Sequence, residues 1–285
     1  MVLKPFDPWR NPLCTCPSKL SLNPYTGCLH GCLYCYASSY IPRFSDCRPK
    51  RDLLRQLKRD VSKVAPGTLI TLSGSTDPYQ PIEKDLGLTS CCLQVLRSGS
   101  MAVQVVTKSD TVCKDIDLLS SMRSVVNITI TTLKDSLSRM LEPGAPTPYM
   151  RIQAIKKLRD NEIPVSVRVD PIIPGINDLE LNDIVSEVFN AGAQHITSST
   201  YKAKPDSMKR LYTAFPIEAE VLKALFEKGE RIGGSLYLPM ELRQRIMHDV
   251  EMAVTREGMS FAACREGLKK QRKVSCDGSH LIRPI

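Results

Sequence analysis

Short apolar runs alternate with amphipathic stretches from about residue 20 to residue 200. The runs at 20–23, 68–73, 101–106, 125–131, 164–170 and 194–198 are rich in Val, Ile and Leu, and each has the length of a strand. Between them, Leu54, Leu57, Val61 and Val64 step by three and four, as one buried helix face requires. Val112, Ile116 and Leu119 do the same behind Ser109, which reads as an N-cap. Ile152, Ile155 and Leu158 follow Thr147-Pro148, an N-cap with a first-turn proline. Leu181, Ile184, Val185 and Val188 run out at Gly192, which reads as the residue just past a helix end.

Alternation of this kind predicts α/β structure: βα units around a parallel sheet. Six units fall short of the eight in a full barrel, and pattern alone leaves a doubly wound sheet as the alternative. Either fold places ligands at the carboxyl ends of its strands. Residues 1–19 hold four prolines and no periodic pattern, and read as an N-terminal arm. The core unit is expected over 20–204. Residues 205–285 form a C-terminal extension, with helices near 217–228 and 239–257 and a tail containing Cys, Gly and Lys.

The chain has 285 residues, 42% of them apolar, 24% charged and 6% aromatic. That suits a folded core and excludes a disordered tail protein, a collagen or a small disulfide scaffold. No apolar run approaches the roughly 18 residues of a membrane-spanning helix, and MVLKPFDPWRNPLC lacks the apolar stretch of a secretory signal. The expected location is cytoplasmic, with no membrane partner. The formal charge of +9 is concentrated. Residues 48–63 carry seven positive and two negative side chains, and residues 265–273 carry five and one. Localised basic charge suits a polyanion such as nucleic acid, although solvated surface faces explain it too.

Eleven cysteines are many for a reducing compartment, where clustered thiols point to metal or redox chemistry. Cys28, Cys32 and Cys35 stand in one short segment, with an aromatic residue just before the third. Three thiolates can hold three irons of a [4Fe–4S] cluster and leave the fourth iron open. A closed zinc site wants four ligands, and His30 or Cys47 would complete one. Spacing alone leaves both readings standing.

C-x3-C-x2-C after the first strand of a βα series resembles the radical S-adenosylmethionine (SAM) superfamily. The string NPYTGC-x2-GC-x-YCYA, followed by STDPYQPIE at Ser75–Glu83, is similar to the spore photoproduct lyase-like group, also described as DNA repair photolyase-related. This resemblance covers roughly residues 14–200. It implies a partial (β/α)6 TIM-type barrel, with Cys28, Cys32 and Cys35 as ligands of three irons. SAM would chelate the fourth iron. An electron delivered by a donor such as ferredoxin or flavodoxin would cleave SAM to methionine and a 5′-deoxyadenosyl radical, which abstracts hydrogen from substrate.

The resemblance also suggests SAM contacts. Gly74-Ser75-Thr76-Asp77 ends the second strand, where Ser75 and Asp77 would cradle the methionine ammonium. Lys108 after the third strand and Arg168 in the fifth would meet the SAM carboxylate or a substrate phosphate. Tyr36 would stack on adenine and Tyr34 would shield the cluster, while the segment Pro171–Ile176 would reach adenine through its backbone. The group's hydrogen-donating cysteine is missing, since residues 72–77 read LSGSTD, which argues against thymine-dimer repair. Cys91, Cys92 and Cys113 fit buried helix faces. Cys14, Cys16, Cys264 and Cys276 read either as one auxiliary metal site or as separate thiols. The leading expectation is a lyase-like radical SAM enzyme acting on nucleic acid or nucleotide. A peptide, metabolite or lipid substrate is the alternative, and a non-catalytic zinc or iron–sulfur protein a third reading.

Overall fold

The computed structural model of the chain describes residues 1–6, 11–72, 74–268 and 273–282, so Ser73 and Lys269–Arg272 of the second basic segment lie outside it. All six strands expected from the pattern form. They are β1 (Leu20–Leu22), β2 (Leu69–Leu72), β3 (Ala102–Thr107), β4 (Ser124–Thr129), β5 (Val165–Ile172) and β6 (His195–Thr200). Each pairs in parallel with the next, and Leu20 opposite Ile70, Val103 opposite Ser124 and Ser166 opposite His195 set the register. Lys4–Pro5 pairs antiparallel on the outer edge of β1.

The other edge was not legible in the pattern. β7 (Ser260–Ala263) adds in parallel to β6, so the segment beyond residue 205 contributes a strand to the main sheet. The result is a mixed α/β fold with an eight-stranded sheet curved as a partial barrel.

Helices α1 (Leu53–Val61), α2 (Leu88–Ser98), α3 (Ile116–Ser120), α4 (Pro148–Asp160) and α5 (Leu181–Asn190) cover the sheet. Their buried faces are the predicted ones: Leu57 and Val61 on α1, Ile152, Ile155 and Leu158 on α4, Ile184, Val185 and Val188 on α5. The expected caps are present. Thr147 Oγ1 accepts from Met150 N at 3.3 Å, and Ser109 Oγ accepts from Thr111 N at 3.2 Å. Ser109 starts a 3-10 turn before α3 rather than α3 itself. Cys92 is fully buried on α2, as its stripe predicts.

Three further helices follow: α6 (Pro205–Ala214), α7 (Pro216–Glu227) and α8 (Met240–Arg256). α8 packs on the sheet with Met247, Val250 and Val254 in the main core. α6 and α7 build a second core, in which Leu211, Leu222 and Phe226 meet Tyr34, Leu141, Ile173 and Tyr201. That second core lies against the cysteine loop and props it from outside the barrel. Among the described residues no helix is long and apolar enough to cross a membrane.

The barrel interior is polar where the tail enters it. Gln104 on β3 and Asn127 on β4 donate to the Asp277 carbonyl at 2.5 and 2.7 Å, and Thr197 on β6 donates to the Cys276 carbonyl at 2.8 Å. The Asp277 carboxylate pairs with Lys19 of the arm, and both side chains are buried. The Gln104 and Asn127 amide groups and the Thr197 hydroxyl thereby gain acceptors that water would otherwise supply.

Candidate active site

The cysteine loop leaves β1 at the carboxyl end of the sheet and is fixed on every side. Gly27 has φ +86°, and a Cβ there would lie 2.6 Å from the Asp46 carbonyl oxygen, so only glycine fits. Cys28 N donates to Phe44 O at 2.8 Å, and Leu33 N to Leu141 O at 2.9 Å. Arg210 on α6 donates to the Leu33 and Cys35 carbonyls at 3.0 and 2.9 Å.

The string after β2 braces the same loop. Gln80 accepts from Leu29 N at 2.9 Å, and Glu83 accepts from Tyr25 OH and from Thr89 N. Asp77 Oδ2 lies 3.2 Å from His30 Nε2, while His30 Nδ1 faces Gly144 O at 3.0 Å. Both ring nitrogens of His30 therefore face oxygen atoms of other segments.

Asp77 also accepts from Tyr79 N at 2.8 Å, Thr107 Oγ1 at 2.7 Å and Lys108 N at 2.7 Å. Three donors of the chain and the His30 ring thus surround one buried carboxylate. These contacts tie the cysteine loop to β2 and β3 through Asp77, which stands on the cavity wall where the SAM ammonium is expected. Burial works to raise its carboxyl, but His30 and the other donors outweigh it and hold it at about 2.

Cys28, Cys32 and Cys35 face a cavity of about 500 Å³ at the carboxyl end of the strands. Tyr34, Tyr36, Ser75, Asp77, Lys108 and Arg168 line it too, so the side chains expected to meet the cluster or SAM are brought to one place. Tyr36 OH donates to Gly74 O at 2.7 Å, and its ring stacks on Tyr40 with centroids 6.4 Å apart. Tyr34 turns inward and donates to Glu142, itself paired with Arg151 at 2.5 Å in the interior. Lys108 Nζ sits 5.5 Å from the Tyr34 ring centroid. Arg168 pairs with Asp170, which also accepts from Ser199 Oγ at 2.6 Å. Of the segment Pro171–Ile176, Pro171 reaches the cavity wall, while Ile173 belongs to the second core.

The donor set fits a cluster better than one zinc ion. Among the described residues no group of three or more His, Cys, Asp or Glu side chains is spaced to hold a single metal ion. His30, one candidate fourth ligand, is engaged by Asp77 and Gly144, and Cys47, the other, is not on the cavity wall. Three soft thiols on a cavity wall suit a cubane with one iron left open. Burial pushes the Cys28 thiol up to about 12 and raises Cys32 and Cys35 as well. These are inert thiols until a soft metal displaces their protons.

Lys19, Lys202 and Lys204 reach the wall without a sequence signal, from the arm and from just past β6, and Arg265 of the second basic segment joins them from just past β7. Their separation along the chain hides the grouping.

Residues 22–188 match the radical SAM superfamily, and the chain belongs to it. It is an enzyme whose cofactors are a [4Fe–4S] cluster and SAM. The chain is 34% identical over 184 residues to an uncharacterised protein of Methanocaldococcus jannaschii, covering 62% of this chain and 68% of that one. A radical SAM Nalpha-GlyT isomerase of Pseudomonas phage M6 is 24% identical over 254 residues, which is 85% of this chain and 53% of the phage protein. Spore photoproduct lyase, in a structure with bound AdoMet and dinucleoside spore photoproduct, shares the fold. The TM-score is 0.66 at 15% identity, over 89% of this chain and 79% of that one.

Proposed function

We propose that the enzyme acts on a nucleotide or nucleic-acid substrate held in the cavity beside Cys28, Cys32 and Cys35. The observation that carries this reading is the charge of the wall. Among the described residues, seven lysines and arginines line the cavity against three aspartates. Two of those aspartates are matched inside the chain, Asp170 by Arg168 and Asp277 by Lys19. The third, Asp77, faces His30. Lys202 is matched as well, by Glu266 at 2.7 Å, while Lys4, Lys108 and Lys204 keep the wall positive, which suits a phosphate-bearing ligand. The dinucleoside ligand of the fold neighbour supports the same class.

The bound cofactors supply a radical that takes a hydrogen atom from substrate. The chain does the rest. Cys28, Cys32 and Cys35 hold three irons. Tyr34 closes the inner side of the cluster loop, with its hydroxyl satisfied by Glu142. Lys108 and Arg168 offer positive charge for the SAM carboxylate or a substrate phosphate. Ser75 and Tyr36 border the end of β2, where the methionine part of SAM would lie. Partly buried walls keep water away from the reacting centre.

The test is anaerobic reconstitution, reduction with dithionite and addition of SAM with DNA, RNA, mononucleotides, peptides or membrane lipids. Support would be 5′-deoxyadenosine release raised by a nucleic-acid or nucleotide substrate and absent in Cys32→Ala. Release raised by a peptide or lipid and indifferent to nucleotides would overturn the substrate class.

A further inference from the structure

Cys14, Cys16 and Cys276 meet in the cavity wall, and the cluster uses none of them. Cys16 Sγ and Cys276 Sγ lie 3.2 Å apart, although 260 residues separate them. Cys14 hydrogen-bonds Cys16. Cys14 and Cys16 line the cavity and are half-buried, while Cys276 is buried behind them. Cys264, the fourth thiol considered from sequence, lines the same cavity but is engaged by Arg168.

Both sulfurs of the close pair stand on fixed backbone. The Cys276 carbonyl is held by Thr197 at 2.8 Å, and Asp277 is anchored by Gln104, Asn127 and Lys19. Lys19 lies three residues beyond Cys16, so one buried ion pair aligns arm and tail. A disulfide needs sulfurs about 2.05 Å apart, so closure takes a movement of about 1 Å. Cys14 is the most accessible of the three, and Lys19 and Arg265 lie within electrostatic reach of it. Its hydrogen bond with Cys16 lowers its thiol, and Cys276 is lowered by Cys16 in the same way.

We propose that Cys14, Cys16 and Cys276 form a thiol–disulfide exchange site, which takes a small-molecule disulfide as oxidant and closes a Cys16–Cys276 bridge between arm and tail. Cys14 thiolate attacks the external disulfide, expels one thiolate and becomes a mixed disulfide. Cys16 attacks Cys14 Sγ and expels the second thiolate. Cys276 then attacks Cys16 Sγ and returns Cys14 as thiolate. Cys16 and Cys276 each lose one proton and one electron, and the external disulfide leaves as two thiols. A dithiol reductant reverses the sequence. The cluster cysteines stay out of the exchange because iron holds them.

The experiment uses anaerobic holoenzyme equilibrated in glutathione buffers of stepped disulfide-to-thiol ratio, quenched by alkylation and mapped by mass spectrometry. The expected result is one linked peptide pair, Cys16 with Cys276. Cys14→Ser reaches the same end state at least about tenfold more slowly, because the accessible thiolate is gone. Cys276→Ser gives no linked peptide pair and stops at the Cys14–Cys16 disulfide, inside one peptide, with the external disulfide fully reduced. Iron content per chain, equal in all three proteins, establishes that the variants fold. Absence of the linked pair at every ratio would overturn the proposal, as would oxidation of Cys14→Ser at the wild-type rate.

Discussion

His30 Nε2 faces Asp77 Oδ2 at 3.2 Å, so a residue inside the cysteine motif is bound to the carboxylate at the end of β2. Both groups are buried. Removing the Asp77 carboxylate leaves Tyr79 N, Thr107 Oγ1 and Lys108 N without their acceptor, at a cost of about 1–3 kcal/mol for a buried group left unpaired. Asp77→Ala is expected to lower stability by that order and to reduce iron bound per chain after reconstitution. Chemical denaturation and iron analysis under argon check both. A variant that keeps wild-type iron content would show that the loop holds its shape without the brace.

The Lys19–Asp277 pair should give the tail its pH dependence. Burial acts to raise the Asp277 carboxyl, but Lys19 outweighs it and holds the group at about 2. An unfolded aspartate titrates near 4. The pair's contribution is therefore complete above about pH 4 and falls away as pH drops through about 2. The stability gap between wild type and Asp277→Asn should be about 2 kcal/mol at pH 6 and should narrow steadily from pH 4 downward. A gap that is constant with pH would assign the effect to packing.

Glu142 and Arg151 form the buried pair beneath Tyr34, 2.5 Å apart. Thr131 Oγ1 also donates to Glu142 at 3.0 Å. Glu142→Ala strands the guanidinium and frees the Tyr34 hydroxyl, so a loss of about 3–5 kcal/mol is expected. In the double variant Glu142→Ala/Arg151→Met the loss should be smaller, because no buried charge is left alone. Denaturant midpoints of the two proteins decide it.

Helix α1 carries exposed Arg55, Lys58 and Arg59, with Arg51 just before it. In a βα unit this helix starts at the carboxyl end of the sheet, the same end as the cavity. Reversing charge at Arg51, Arg55 and Arg59 should weaken nucleic-acid binding. The slope of log affinity against log salt should shrink by about 0.9 for each duplex phosphate that is no longer neutralised, or by about 0.7 on a single strand. Fluorescence anisotropy at several salt concentrations measures it. Unchanged affinity would remove the helix from the binding path.

The parts of the molecule that were legible in the sequence are those whose cause is local. Strands β1–β6 show as short apolar runs, Thr147-Pro148 opens α4, and three cysteines within eight residues mark the cluster loop. β7 did not show, because Ser260–Ala263 has a single large apolar residue and owes its pairing to β6. α6 was passed over for a similar reason: it buries little apart from Leu211 and is held by packing on the cysteine loop. The string STDPYQPIE was visible as a signature, but its work was not. Asp77, Tyr79, Gln80 and Glu83 bind groups far away in sequence, with Tyr79 OH reaching Asp115 at 2.7 Å. Long-range pairs such as Lys19 with Asp277 leave no trace in local pattern at all.

The tail inside the barrel bears on how the chain is made. Gln104, Asn127 and Thr197 find their buried partners in the carbonyls of Cys276 and Asp277. Strands carrying these groups emerge from the ribosome long before those carbonyls exist. The growing chain can pair β1 to β6, but its interior stays wet until residues 275–280 arrive. Closure of the sheet thus waits for the tail, and a ribosome stalled at residue 270 would hold a sheet whose centre is still open to water and to proteases.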